Sequence, residues 1–184
     1  MSNEVRIISG QWRSRKIRFP AVAELRPTPD PVRETLFNWL QGEVEGARCL
    51  DLYAGSGALG FEAASRGACR VVEVESNARA CIALRRNCAL LDARQIEIVH
   101  SEAGRYLSGP VRIFDVVFLD PPFRRGLLGP SCQSLEKRGW LAERAWIYLE
   151  TEAELSVDGL PQSWQMMHSK KSGEVACHLC RRLH

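Results

Sequence analysis

No apolar run in the sequence reaches membrane-spanning length. The longest hydrophobic stretches are strand-sized and broken by charge, so the 184-residue chain is expected to be soluble and to keep away from membranes. There is no internal repeat and no low-complexity tract, so nothing suggests a repeat architecture or a long disordered segment. Excess charge is also scarce. The formal net charge is only +3, and whole-chain charge therefore says little about partners. The cysteine count argues against a disulfide framework, because seven is odd and no secretory leader stands ahead of the cysteines. Reduced thiols in the cytoplasm are expected.

What is present fits one compact folding unit, with an ordinary hydrophobic fraction of 45%. The charge is unevenly placed. Arg6, Arg13, Arg15, Lys16 and Arg18 crowd the N-terminus against a lone Glu4, which predicts a basic arm over residues 1–25 ahead of a main unit over 26–184. Within the arm, Val5, Ile7, Ile17 and Phe19 are strand-like and Ser9, Gly10 and Ser14 punctuate a turn, as in a hairpin. Three prolines in Pro27, Pro29 and Pro31 then make a stiff connector. It ends where Asp30 can cap, and Pro31 start, a helix with Val32, Leu36 and Leu40 on its apolar face.

From Arg48 onward, short apolar runs alternate with helical periodicity, the pattern of a parallel sheet covered by helices on both faces. Strands are predicted at 49–53, 70–75, 96–99, 114–119 and 145–150. Helices are predicted near 59–65, 78–91 and 132–138, with a loop at 126–129. The tail predicts an antiparallel hairpin from 164–168 and 174–181 about a Ser172-Gly173 turn.

The segment Asp51-Leu52-Tyr53-Ala54-Gly55-Ser56-Gly57-Ala58-Leu59-Gly60 joins the first of these strands to a helix, where glycines let backbone approach a ligand. Alone this is a weak signal, since a tight turn needs no ligand. Glu73 and Glu75, at the end of the next strand, supply an acid able to accept hydrogen bonds from the hydroxyls of an adenosine ribose. That geometry serves NAD and S-adenosylmethionine alike. Asp51 separates them: a carboxylate beside the loop repels a pyrophosphate and attracts a ligand that carries an ammonium and a sulfonium.

Asp120-Pro121-Pro122-Phe123 follows an apolar strand and so falls at the carboxyl edge of the sheet, where such folds bind ligands. The prolines remove two donors, leaving carbonyls and the Asp120 carboxylate as rigid acceptors suited to an amino group. Phe123 offers a ring on which an extruded base can stack.

These segments, together with Arg6-Ile7-Ile8-Ser9-Gly10, Arg26-Pro27-Thr28, Arg33-Glu34-Thr35-Leu36-Phe37-Asn38 and Arg124-Arg125-Gly126, resemble the RsmD family of bacterial 16S ribosomal RNA guanine-N2 methyltransferases from Arg6 to nearly the end of the chain. The resemblance implies a Rossmann-like, seven-stranded α/β methyltransferase fold with an N-terminal hairpin, using S-adenosylmethionine on one guanine of the small ribosomal subunit, with an assembled particle preferred to naked RNA. By the same resemblance Thr28, Asp51, Tyr53, Gly55 and Gly57 hold the cofactor, Glu73 its ribose, and Glu102, in Ser101-Glu102-Ala103, lies beside its adenine. Asp120, Pro121, Pro122 and Phe123 are the catalytic set, and Arg6, Trp12, Arg13, Arg15, Lys16, Arg124 and Arg125 the RNA contacts. No metal is implied, and a monomer is expected.

Other features carry less. In a strand, Cys177 points away from His178 and Cys180, which argues against zinc for Cys177-His178-Leu179-Cys180. Trp39, Trp140, Trp146 and Trp164 lie in periodic segments and read as core, whereas Trp12 suits RNA contact and packing equally. Three rival functions remain. A DNA adenine-N6 methyltransferase would use the same Asp-Pro-Pro-Phe chemistry but lacks room for a target-recognition domain. A non-catalytic RNA-binding or assembly factor needs none of Asp51, Glu73 and Asp120. An NAD oxidoreductase is disfavoured by Asp51 and by the lack of a proton-donating His or Tyr at the sheet edge.

Overall fold

A computed structural model describes residues 2–21, 25, 27–152 and 159–183. Arg26 of the Arg26-Pro27-Thr28 segment lies outside the described residues. The N-terminal hairpin pairs β1 (Ser2–Arg6) antiparallel with β2 (Lys16–Pro20), followed by α1 (Asp30–Trp39). Alternation then sets in with β3 (Arg48–Asp51), α2 (Ala58–Ser65), β4 (Arg70–Glu75), α3 (Ala78–Leu91), β5 (Ile96–His100) and α4 (Ala103–Ser108). It continues through β6 (Phe114–Leu119), α5 (Leu128–Lys137) and β7 (Leu141–Glu152), and closes with β8 (Trp164–Ser172) and β9 (Val175–Arg182).

The seven strands β3 to β9 make one sheet in the order β5-β4-β3-β6-β7-β9-β8, in which β9 alone runs against the rest. The chain winds outward from β3 to β5 and then returns to β6 on the other side of β3. That reversal opens a crevice at the carboxyl ends of β3 and β6.

Strand alternation sends the apolar residues to two cores. Cys49, Val71, Val116, Phe118, Tyr148, Cys177 and Leu179 face α1, α2, α3 and the hairpin. Leu50, Val72, Val117, Leu119, Ile147, Leu149 and Cys180 face α4 and α5, where Trp140 is fully buried. The hairpin joins the first core through Val5, Ile7, Trp12, Ile17 and Phe19, each worth about 1.5–3 kcal/mol when fully buried if its size is that of Val, Leu or Phe.

Several elements depart from the sequence expectation. Pro29, not Asp30, occupies the N-cap of α1, and Asp30 instead pairs with Arg33 at 2.6 Å, one turn along. The expected loop at 126–129 is shortened because α5 starts at Leu128, with Pro130 in its first turn, where a missing N–H costs nothing. Helix α4 is too short, at six residues, to show a period. The tail turn is Gly173-Glu174, one residue later than expected, because Ser172 still pairs with Val175. Trp12 is buried and tilted against Phe61 at 6.4 Å, so packing accounts for it and it presents no ring to RNA.

Candidate active site

The crevice holds a cavity of about 420 Å³, within the usual range for a small-molecule site. Asp51 lines it from the end of β3, Tyr53 and Gly55 from the loop that follows, Glu75 from the end of β4, Asn77 from the N-cap of α3, and Glu102 from the loop before α4. Asp120, Pro122 and Arg125 close the side next to β6, and Thr28 and Leu25 the side next to the connector. Pro121 is buried and Phe123 lies outside the lining with 44% of its surface exposed, a ring at the mouth rather than in the cavity.

Two cofactor residues expected from the sequence sit elsewhere. Glu73 is fully buried, in register with Asp51 on the neighbouring strand, and does not line the cavity. Glu75, two residues on and on the same face of β4, stands past the last pair with β3 and reaches the opening. Its Oε2 accepts the Gly55 amide at 2.8 Å and its Oε1 the Asn77 amide at 2.6 Å, so one carboxylate ties the glycine loop to the start of α3. Both acids were visible in the sequence, but only the register decides between them. Gly57 is likewise outside the lining. Its φ of 82° and its contact with Leu84 and Phe61, which a Cβ would meet at 2.6 and 2.9 Å, explain the glycine by packing. Gly60 is required because a Cβ there would overlap the Glu73 carboxylate.

The carboxylates form a row. Asp51, Glu73 and Glu75 share one face of β3 and β4, and Asp120 and Glu150 follow the last registered pair of β6 and β7, Leu119 with Leu149. Burial pushes the Asp51 carboxyl up to about 7, with Glu75 adding repulsion and the amides of Gly60 and Tyr53 pulling partly back. Burial and then the Asp51 charge raise Glu73 well above the carboxylate range. Burial, Glu150 and Asp51, in that order, do the same to Asp120. Asp51 Oδ1 and both Glu73 oxygens have no hydrogen-bond partner among the described residues. Such a row lowers its energy when a cation enters, and it repels phosphate.

A second network fixes the walls. Glu62 of α2, fully buried, accepts the amides of Ile8 (2.8 Å) and Ser9 (3.0 Å) from the hairpin turn and pairs with Arg33 (3.4 Å) and Arg66 (2.8 Å). Arg33, itself buried, donates to the carbonyls of Thr28 (3.1 Å) and Arg6 (2.9 Å). The helix that follows the glycine loop thus also anchors the arm. Periodicity shows an Arg and a Glu on helices; it does not show that they are buried together.

The expected RNA contacts divide. Arg6 and Arg13 are exposed with no carboxylate partner among the described residues, but Lys16 pairs with Glu4 at 2.8 Å and Arg15 reaches the Leu90 carbonyl of α3 at 3.5 Å. The Arg124 amide donates to Glu152. Trp39 stacks on His168, while Trp140, Trp146 and Trp164 are buried. Cys177 and Cys180 belong to opposite cores.

The family model described as Conserved hypothetical protein 95 matches residues 5–181. The chain belongs to this family. Among its relatives is the ribosomal RNA small subunit methyltransferase D of Escherichia coli, 45% identical over 98% of this chain and 91% of that protein. The Haemophilus influenzae protein of the same name is 41% identical over 96% and 93%. The solved structure of Escherichia coli yhhF superposes with a TM-score of 0.92, at 43% identity over 98% of both chains. The seven-stranded sheet with its antiparallel penultimate strand is therefore the family fold, hairpin included.

Proposed function

We propose that this chain transfers the methyl group of S-adenosylmethionine to the exocyclic N2 of a guanine in 16S ribosomal RNA of the small subunit. Methylation of small-subunit ribosomal RNA is the activity named for its full-length relatives. The observation that carries the chemistry is the set of carboxylates Asp51, Glu75 and Asp120 lining one cavity, with Pro122 of the Asp-Pro-Pro-Phe segment beside them.

The cavity fits the cofactor by charge and by hydrogen bonding. Asp51, with an unpartnered oxygen, faces the space where an ammonium and a sulfonium would be held, and Glu75 keeps lone pairs free for ribose hydroxyls beyond its two amide bonds. Thr28, Tyr53, Gly55 and Glu102 complete the lining, with Glu102 on the adenine side by the family resemblance. S-adenosylmethionine supplies, when bound, an electrophilic methyl group on a sulfonium.

The chain's own task is to prepare the amino nitrogen, whose lone pair is delocalised into the guanine ring. In this reading the Asp120 carboxylate and the Pro121 carbonyl accept the two amino hydrogens and draw the nitrogen toward tetrahedral geometry, which stabilises its developing positive charge. Phe123, exposed at the mouth, stacks on the flipped base and aligns N2. Once the methyl group is transferred the nitrogen is strongly acidic, and its proton passes to the Asp120 carboxylate and on to water.

The experiment is single-turnover methylation of small subunits prepared without this modification, with the modified nucleotide mapped. Asp120→Ala should lower the rate by roughly a hundredfold or more while S-adenosylhomocysteine affinity holds, the scale for a lost preorganised acceptor. Near-normal rates would remove Asp120 from the chemistry and favour a non-catalytic RNA-binding or assembly factor. Methylation of adenine N6 in DNA would favour the other alternative.

A further inference from the structure

The cations of this chain separate into paired and unpaired sets. Lys16 and Arg18 are neutralised by Glu4, Arg48 by Asp115, Arg70 and Arg112 by Glu97, and Arg182 by Glu136. Helix α3 behaves differently. It carries Arg79, Arg85 and Arg86, all exposed, and not one acidic residue, and among the described residues no carboxylate pairs with any of the three. Helix stability does not explain this placement. Arg79 stands in the first turn, where the helix dipole disfavours a cation by about 0.3–1 kcal/mol, and the last turn, where a cation would help, holds none of its own.

The face has a defined location. Helix α3 begins beside Asn77, which lines the active-site cavity, and its 14 residues extend about 21 Å to the hairpin. There the hairpin is bound to it on two counts. Arg15 donates to the Leu90 carbonyl, and the buried Asn87 side chain bonds both the amide and the carbonyl of Arg18 at 3.1 and 2.8 Å. The outer face of α3 and the arm therefore form one rigid surface. Ile82 and Leu90, 49% and 67% exposed, lie among the arginines and add apolar contact area.

We propose that the outer face of α3, through Arg79, Arg85 and Arg86, is a phosphate-binding surface that carries the RNA from the hairpin toward the active-site mouth. The proposal rests on the reading of the substrate as ribosomal RNA. It assigns to α3 the charge that Glu4 removes from Lys16 and Arg18. A polyanion is the partner that three unpartnered guanidinium groups on an acid-free helix fit, since each phosphate neutralised releases a counterion.

The test is a salt titration of binding to small subunits, and to naked 16S ribosomal RNA at low salt, with the triple variant Arg79→Gln, Arg85→Gln, Arg86→Gln. The paired arginines supply a control in Arg70→Gln with Arg112→Gln. The expected result is a loss of roughly tenfold or more in affinity for both RNAs, and a salt dependence shallower by about two to three in log–log slope, near 0.7–0.9 per phosphate contact. S-adenosylhomocysteine affinity should be unchanged and the control should bind like wild type. An unchanged slope and affinity in the triple variant overturns the proposal, and so does a loss confined to assembled subunits, which would make α3 a protein-contact face. Wild-type methylation in the same preparation separates the two questions. If wild type methylates the subunits and the triple variant binds normally, only the α3 surface falls; if wild type methylates no ribosomal RNA, the functional reading falls first.

Discussion

Replacing Asp51 with Asn should move stability and ligand binding in opposite directions. Asp51 holds its proton to about 7 in the ligand-free fold against an ordinary value of 3.8. Between those values the folded chain keeps a proton that the unfolded chain has released, so stability falls as pH rises through the window and levels off above it. The full span corresponds to about 4 kcal/mol at about 1.36 kcal/mol per unit. Asn removes that ionisation but leaves a buried amide whose donors lack partners, at about 1–3 kcal/mol. The expected net gain at pH 8 is therefore about 1–3 kcal/mol, or several degrees in Tm for a chain of this length at roughly 2–4 °C per kcal/mol. Toward pH 4 the gain should vanish and the amide cost remain. His178, whose pKa burial lowers, contributes with the opposite sign near its ordinary value of 6.5, but it cancels in the difference between variant and wild type. Denaturation of ligand-free protein at pH 5, 6, 7 and 8 measures the difference, and calorimetry should show weakened S-adenosylmethionine binding by the same variant. A variant no more stable than wild type at pH 8, or a gain that does not shrink toward pH 5, would refute the reasoning.

Further substitutions test the site's register and one of its glycines. Glu75→Gln should weaken S-adenosylmethionine binding and loosen the Gly55 and Asn77 amides, whereas Glu73→Gln should leave affinity near wild type and stabilise the ligand-free protein at neutral pH; calorimetry and thermal denaturation of the pair would expose a reversed order. Gly60→Ala should cost about 1–3 kcal/mol by driving a methyl group against the Glu73 carboxylate, and Gly60→Ala combined with Glu73→Ala should recover part of that loss in chemical denaturation.

The order of strands and helices was legible because buried parallel strands are nearly unbroken apolar runs, and residues 70–75 and 114–119 coincide with β4 and β6. Asp51, Gly55 and Asp120 were legible for the same reason, since a motif's position relative to a strand end places it at the sheet edge. That Glu75 and not Glu73 lines the cavity was not. Both lie on one face of one strand, and the deciding quantity is how far β4 extends past β3, a property of two segments that neither encodes alone. Trp12 and the Arg33–Glu62 pair were hidden similarly: a charge or a ring in a polar-looking segment becomes buried only when a distant element supplies its partner.

The anchoring of the hairpin by Glu62 and Asn87 has a consequence for the order in which the chain can fold. Ile8 and Ser9 wait for a carboxylate 54 and 53 positions later, and Arg18 for an amide 69 positions later. Contacts of that separation close slowly, because the loop entropy is lost before the bonds repay it. The hairpin thus acquires these partners only after α2 and α3 have been made, and until those helices have formed its apolar residues have no core to enter. A nascent chain should keep this hairpin sensitive to protease until residues past Asn87 have been made, and lose that sensitivity in one step.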